Sequence, residues 1–171
     1  MLGPMDRSWA ADSKTRFSSR VEAYVAARPG YPKEVIGLLQ DRIELTPASR
    51  VVDVGSGTGI SCELFLQNGN PVTAVEPNEA MRAAAEKALA HFAGFRSVNG
   101  SAEATTLPDQ SADLVISAQA FHWFDRSATR REFLRILRTG GFVLLMWNDR
   151  KLTGTAFLED YEKLLIAHGT D

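Results

Sequence analysis

Residues whose types and spacing could do chemistry fall in three places along this chain. The first is Asp53-Val54-Gly55-Ser56-Gly57-Thr58-Gly59, an acid leading into a glycine-rich turn. Glycine lets a chain turn sharply and lets its backbone approach a ligand with no Cβ in the way. A helix starting beyond such a turn offers unpaired N–H groups to an anion, a carboxylate as readily as a phosphate. The second is Glu76, 23 residues after Asp53, close to the ~20 expected of an acid that reads ribose hydroxyls. A carboxylate accepts from two vicinal hydroxyls and repels a 2′-phosphate, which suits adenosine. The third is His122, set among Phe121, Trp123 and Phe124. It reads either as a general base or as a histidine packed between aromatic rings. The bland alternative for Asp53 and Glu76 is a pair of solvated strand ends beside an ordinary turn.

Around these residues the chain alternates regularly. Val51–Val54 is a short β-branched run, and Ile60–Leu66 a helical stretch that Gly69 would stop. Residues 72–76 read as a second strand. Asn78 caps a helix whose face is Met81, Ala85, Ala88, Leu89 and Phe92, ending at Gly94. Phe95–Asn99 and Asp113–Ser117 are further strands. Asp125 caps a helix carrying Phe133, Ile136 and Leu137 that Gly140-Gly141 would end, and Phe142–Trp147 is a fifth strand, apolar throughout. Upstream, Arg28-Pro29-Gly30-Tyr31-Pro32 is a turn before a helix striped by Val35, Ile36, Leu38, Leu39 and Ile43, and residues 1–20 read as a tail or arm. Strands alternating with helices predict βαβ units, and near-continuous apolar strands suit a sheet covered on both faces. The expected fold is α/β: one Rossmann-like, doubly wound domain over residues 21–171 with five mostly parallel strands. Its ligand would lie beyond the carboxyl ends of the strands.

Composition narrows the function classes. With 171 residues the chain is one domain in size. Its 19 Lys+Arg against 21 Asp+Glu give a charge of −2, which argues against a general grip on nucleic acid or an anionic membrane. A lone Cys62 excludes an intramolecular disulfide and a thiolate zinc cluster and fits a reducing, cytoplasmic location. No other His or Cys lies near His122 to suggest a metal; His91 and His168 read as surface residues, and Arg131, Arg135 and Arg138 as a solvated helix face. A phosphate-cradling loop would need Lys after Gly59. A dinucleotide fingerprint would need a last glycine or alanine where this chain has Ile60 or Cys62.

What remains, an acid before G-x-G-x-G, resembles the first motif of class I S-adenosylmethionine-dependent methyltransferases. Three further segments extend the likeness: Phe17-Ser18-Ser19-Arg20 through Tyr24 to Pro32; Gly100-Ser101-Ala102-Glu103 with Leu107-Pro108; and Ala118-Gln119-Ala120-Phe121-His122-Trp123-Phe124. Together they resemble the methyltransferase type 11 family, near its trans-aconitate methyltransferase-like group, from about Phe17 to about Tyr161. The resemblance implies S-adenosylmethionine as cofactor. Gly55, Ser56, Gly57 and Gly59 would pack on its methionine part with Asp53 in support, and Glu76 would take the ribose. Pro77 and Met81 would wall the adenine, and Ser101, Ala102 and Glu103 would lie at its amine. Gln119 would sit near the methionine end, and Tyr24 and Arg28 on a segment closing over the cofactor. His122 would stand near the methyl as the candidate catalytic base. Nucleic-acid amino-methyltransferases carry an Asn/Asp-Pro-Pro-aromatic run where this chain has Ser117-Ala118-Gln119-Ala120, which favours a small-molecule acceptor.

Relatives of that kind continue past the fifth strand into a helix and two more strands. Phe157, Tyr161, Leu164 and Leu165 supply the helix, and the sequence stops at Asp171. The expectation is therefore a bare sheet edge at Phe142–Trp147, able to pair two chains. The alternative to an active enzyme is a cofactor-binding but catalytically incomplete domain.

Overall fold

A computed structural model describes residues 30–149 and 151–169. Tyr24, Arg28 and the N-terminal motif from Phe17 lie outside the described residues. The elements follow the alternation expected: α1 (Glu34–Ile43), β1 (Val51–Val54), α2 (Ile60–Gln67), β2 (Val72–Val75), α3 (Glu79–Leu89), β3 (Phe95–Val98), β4 (Ala112–Ala118), a 3-10 turn (Phe121–Trp123), α4 (Arg126–Ile136), β5 (Leu137–Met146) and α5 (Ala156–His168). All neighbouring strands run parallel, in the order β3-β2-β1-β4-β5. The order reverses between β1 and β4, which creates the crevice where such sheets bind ligands.

Side chains of successive strand residues point to opposite faces, and this sheet uses both. On one face Val51, Val72, Ala74, Leu114 and Ile116 pack with Leu39 of α1, Cys62, Phe65 and Leu66 of α2, and Leu89 of α3. On the other, Val52, Val54, Val75 and Val115 pack with Phe133 and Ile136 of α4 and with Ala102. Phe65 and Ile136 are fully buried, and burial of an aliphatic or aromatic side chain of this size contributes roughly 1.5–3 kcal/mol. Asn78 and Asp125 cap α3 and α4 as expected, their side chains accepting from Met81 N and from Ser127 N and Ala128 N.

Two boundaries differ from the sequence expectation. The helix after Asn78 stops at Leu89, short of Gly94, because the chain turns there through Phe92 N to Leu89 O and Phe95 N to Phe92 O. More consequentially, α4 ends at Ile136 and Leu137 already belongs to β5. Gly140-Gly141 does not end a helix but forms a bulge within the strand. Leu137 pairs with Ala112, and the next pairing is Phe142 with Leu114, which leaves residues 138–141 looped out. Gly140 takes φ +76°, and a Cβ on Gly141 would lie 2.9 Å from Leu137 Cδ2 and 3.1 Å from Asp113 O. Leu137 leaves the helix early because its side chain is buried in the second core beside Ala112.

β5 is an edge strand among the described residues. Its adjacent residues Phe142 and Val143, on opposite faces, are 44% and 46% exposed. α5 contributes no buried residue. No described helix is long and apolar enough to cross a membrane.

Candidate active site

Backbone hydrogen bonds continue beyond the strand ends and align the loops along one rim. Gly55 N and Ser56 N both donate to Val75 O, at 2.9 and 3.3 Å, Glu76 N donates to Val98 O, and Gln119 N to Met146 O. The turn 55–59 is thereby laid over the end of β2. Gly55, Gly57 and Gly59 have φ of +71°, +55° and +85°, a region that costs an L residue roughly 1–2 kcal/mol. Their surroundings differ. A Cβ on Gly55 would lie 2.7 Å from Ala120 Cβ and 2.9 Å from Phe124 Cζ, and one on Gly59 2.6 Å from Leu89 Cδ1. Among the described residues, a Cβ on Gly57 would meet only Met81 Sδ, at 3.5 Å. Gly55 and Gly59 are therefore small because the protein packs against them, whereas Gly57 faces the open side of the turn.

Glu76, at the end of β2, closes onto this turn. Its Oε2 accepts from Gly57 N at 3.0 Å and its Oε1 from Asn78 N at 2.9 Å. A carboxylate offers about four lone-pair positions, so each oxygen keeps capacity for another donor. Burial raises the Glu76 pKa, opposed by the N–H groups of Asn78 and Gly57 and by the charge of Arg82. Arg82 Nη1 donates to Glu76 O, Pro77 O and Asn99 Oδ1. Pro77 is half-buried, and Met81 is buried beneath the turn.

Asp53 is fully buried on β1. Its Oδ2 accepts from Ser61 Oγ at 2.5 Å and from Cys62 Sγ at 3.2 Å. Its Oδ1 has no partner among the described residues, and neither do the buried hydroxyls of Ser56, Thr58 and Ser117. Burial pushes the Asp53 pKa up to about 6, held back by Ser61 and Cys62 and assisted by the nearby charge of Glu76. Cys62 is a buried free thiol, as expected. Burial raises its pKa, so it serves Asp53 as a neutral donor.

The opposite wall comes from the ends of β3, β4 and β5. Gly100 lets the chain turn back under β2, since a Cβ there would lie 2.7 Å from Thr105 O. Ser101 and Ala104 form a bridge, Ala102 is buried in the second core, and Glu103 accepts from Asp125 N at 3.0 Å. Glu132 of α4 holds the same loop by accepting from Thr105 N at 2.7 Å and from its hydroxyl, and is itself paired with Arg135. Gln119 has φ +58° and donates through Nε2 to Asn148 O at 3.1 Å, tying the end of β4 to the segment after β5. Phe121, Trp123 and Phe124 are half-buried. Phe124 packs on the second core, with Phe121 edge-on to it at 5.9 Å. His122 is exposed, 4.8 Å from the ring of Trp123, and partial burial lowers its pKa.

The rim thus brings together Asp53, the glycine turn, Glu76, Pro77, Ser101 to Glu103, Gln119 and His122. The sequence reading passed over Arg82, Ser61, Glu132 and Asn148. Arg138, read as part of a helix face, sits on β5 and pairs with Asp113 at 2.6 Å. Arg131 and His91 are exposed, as expected. No group of metal-ligating side chains occurs among the described residues.

A five-stranded parallel sheet with a glycine turn after its first strand and an acid just after its second is a Rossmann-like α/β domain. Residues 52–145 match the model of a methyltransferase domain family, and the chain belongs to that family. It is 38% identical over 139 residues to an uncharacterized methyltransferase of Mycobacterium tuberculosis, a match covering 81% of this chain and 54% of that protein. It is 33% identical over 161 residues to an uncharacterized methyltransferase-like protein of Schizosaccharomyces pombe, covering 94% and 61%. The chain therefore spans little more than half the length of these curated relatives. Its fold is also that of Haemonchus contortus phosphoethanolamine N-methyltransferase 2, solved with phosphomonomethylethanolamine and S-adenosylhomocysteine, with TM-score 0.68 and 19% identity over 95% of this chain and 41% of that one.

Proposed function

We propose that this chain binds S-adenosylmethionine and transfers its methyl group to a small-molecule acceptor. The observation that carries the reading is the closure of Glu76 onto the glycine turn through Gly57 N. It sets a carboxylate with spare acceptor capacity beside the one open glycine. The residues present fit the cofactor. Asp53 Oδ1 and the buried hydroxyls of Ser56 and Thr58 lack partners among the described residues, and Gly57 leaves room that a Cβ would occupy. When bound, the cofactor supplies an electrophilic methyl on a cationic sulfur.

Glu76 would accept the ribose hydroxyls, with Gly57 and Asn78 fixing its two oxygens. Asp53 would favour the cationic methionine end electrostatically, and Pro77 would present apolar surface to the base. Gln119, held by Asn148, and the Phe121–Phe124 segment would exclude water and orient the acceptor. His122, whose pKa burial lowers toward the neutral form, would take a proton from a phenol-like acceptor; a carboxylate acceptor would not need it.

The second reading, a cofactor-binding but catalytically incomplete domain, is favoured by the bare β5 edge and by the length of the relatives. The two share a first test. S-adenosylhomocysteine should raise the melting temperature in a dose-dependent way, and Glu76→Ala should remove most of that shift. No shift at millimolar ligand overturns both readings. Binding without methyl transfer across a panel of small acids, phenols and amines selects the second.

A further inference from the structure

We propose that Arg82 is the positioning residue of the ribose subsite, holding the turn from which Glu76 presents its carboxylate. Arg82 is the fourth residue of α3, and its N–H bonds Asn78 O to close the first turn. Its guanidinium reaches back toward the segment before the helix and makes three hydrogen bonds. Nη1 donates to Glu76 O at 2.9 Å, to Pro77 O at 2.8 Å and to Asn99 Oδ1 at 3.3 Å. The acceptors are two consecutive carbonyls between β2 and α3 and a side chain just after β3. One nitrogen thus ties the ends of two strands to a helix.

The consequence for the site is geometric. Glu76 bonds forward to Asn78 N and back to Gly57 N, so its carboxylate position depends on the path of residues 76–78. Arg82 sets that path through the Glu76 and Pro77 carbonyls, and its positive charge favours the ionised form of the same carboxylate. Removing it releases two carbonyls and leaves the Glu76 side chain aligned only by its own two bonds. This inference rests on Glu76 taking the ribose hydroxyls.

The test compares S-adenosylhomocysteine with its 2′-deoxy analogue by titration calorimetry, on the wild-type chain and on Arg82→Ala, Arg82→Met and Arg82→Lys. The wild type should favour the hydroxylated ligand by about tenfold, the equivalent of ~1.4 kcal/mol. Arg82→Ala should lose about that factor for S-adenosylhomocysteine, keep its affinity for the deoxy analogue within roughly twofold, and so erase the preference. Arg82→Met retains the aliphatic stem and carries the same comparison if the alanine variant unfolds. Arg82→Lys should recover most of the preference, because all three bonds come from a single nitrogen and an ammonium offers three hydrogens. An unchanged ratio in Arg82→Ala and Arg82→Met, or an equal loss for both ligands, overturns the role. A wild-type chain that binds neither ligand overturns the parent reading instead.

Discussion

Gly55 and Gly57 share a backbone region but answer to different neighbours, so substitution should separate them. Gly57→Ala carries the cost of a positive φ, roughly 1–2 kcal/mol, and places its methyl on the open side of the turn. It should stay folded in urea titrations while losing S-adenosylhomocysteine affinity. Gly55→Ala adds an overlap with Ala120 and Phe124, and overpacking of that kind costs about 1–3 kcal/mol more. Equal stability of the two variants would contradict the packing described. Asp53 makes a pH prediction. Its pKa of about 6 in the fold lies above the ~3.9 of an unfolded aspartate. The folded chain therefore holds the proton more tightly, and this group's contribution is full below pH ~4 and lost as pH rises through ~6. Relative to Asp53→Asn, the wild type should gain roughly 2 kcal/mol of unfolding free energy between pH 7 and pH 4. A difference independent of pH would show that Asp53 is not buried in this way.

Between elements, the loop after β3 is held by α4 more than by its own sequence. Glu132 accepts from Thr105 N and Oγ1, and Thr105 is fully buried. Glu132→Ala leaves that N–H without an acceptor and should cost about 2–4 kcal/mol in thermal or urea unfolding. The exposed Asp109, which also pairs with Arg135, should cost under ~1 kcal/mol when replaced by alanine. Comparable losses from the two would show that the buried contact is not what holds the loop. The α4–β5 junction teaches a related lesson. Gly140-Gly141 reads locally as a helix stop, yet Leu137 is drawn into the core opposite Ala112, and the glycines are taken up as a bulge. Helix and strand boundaries yield to burial when one large side chain decides the register.

For the whole molecule, the dominant feature outside the site is the β5 edge. Phe142, Val143, Leu145 and Trp147 are exposed there, and an edge strand of this kind is a template for pairing. The 171-residue chain should self-associate, with its mass by light scattering rising with concentration. Val143→Lys should return it to a monomer by placing charge on the strand. A wild type that is monomeric at every concentration would count against pairing through this edge.

Much of this protein could be read from sequence because its signals are local. The strand–helix alternation, the caps Asn78 and Asp125, and the acid-glycine turn each rest on residues within a few positions of one another. The spacing of Glu76 from Asp53 singled out Glu76 as the candidate acid for ribose hydroxyls. Only the tertiary structure decided which of the three glycines is left unpacked, because that depends on Ala120, Phe124 and Leu89, far along the chain. It also decided that Arg82 works beneath Glu76, that Glu132 anchors Thr105, and that His122 is exposed beside Trp123 rather than buried among rings. These are contacts between residues that no periodicity relates. They are set by the registers in which β1 meets β2 and β4, and those registers follow from how side chains fill the two faces of the sheet.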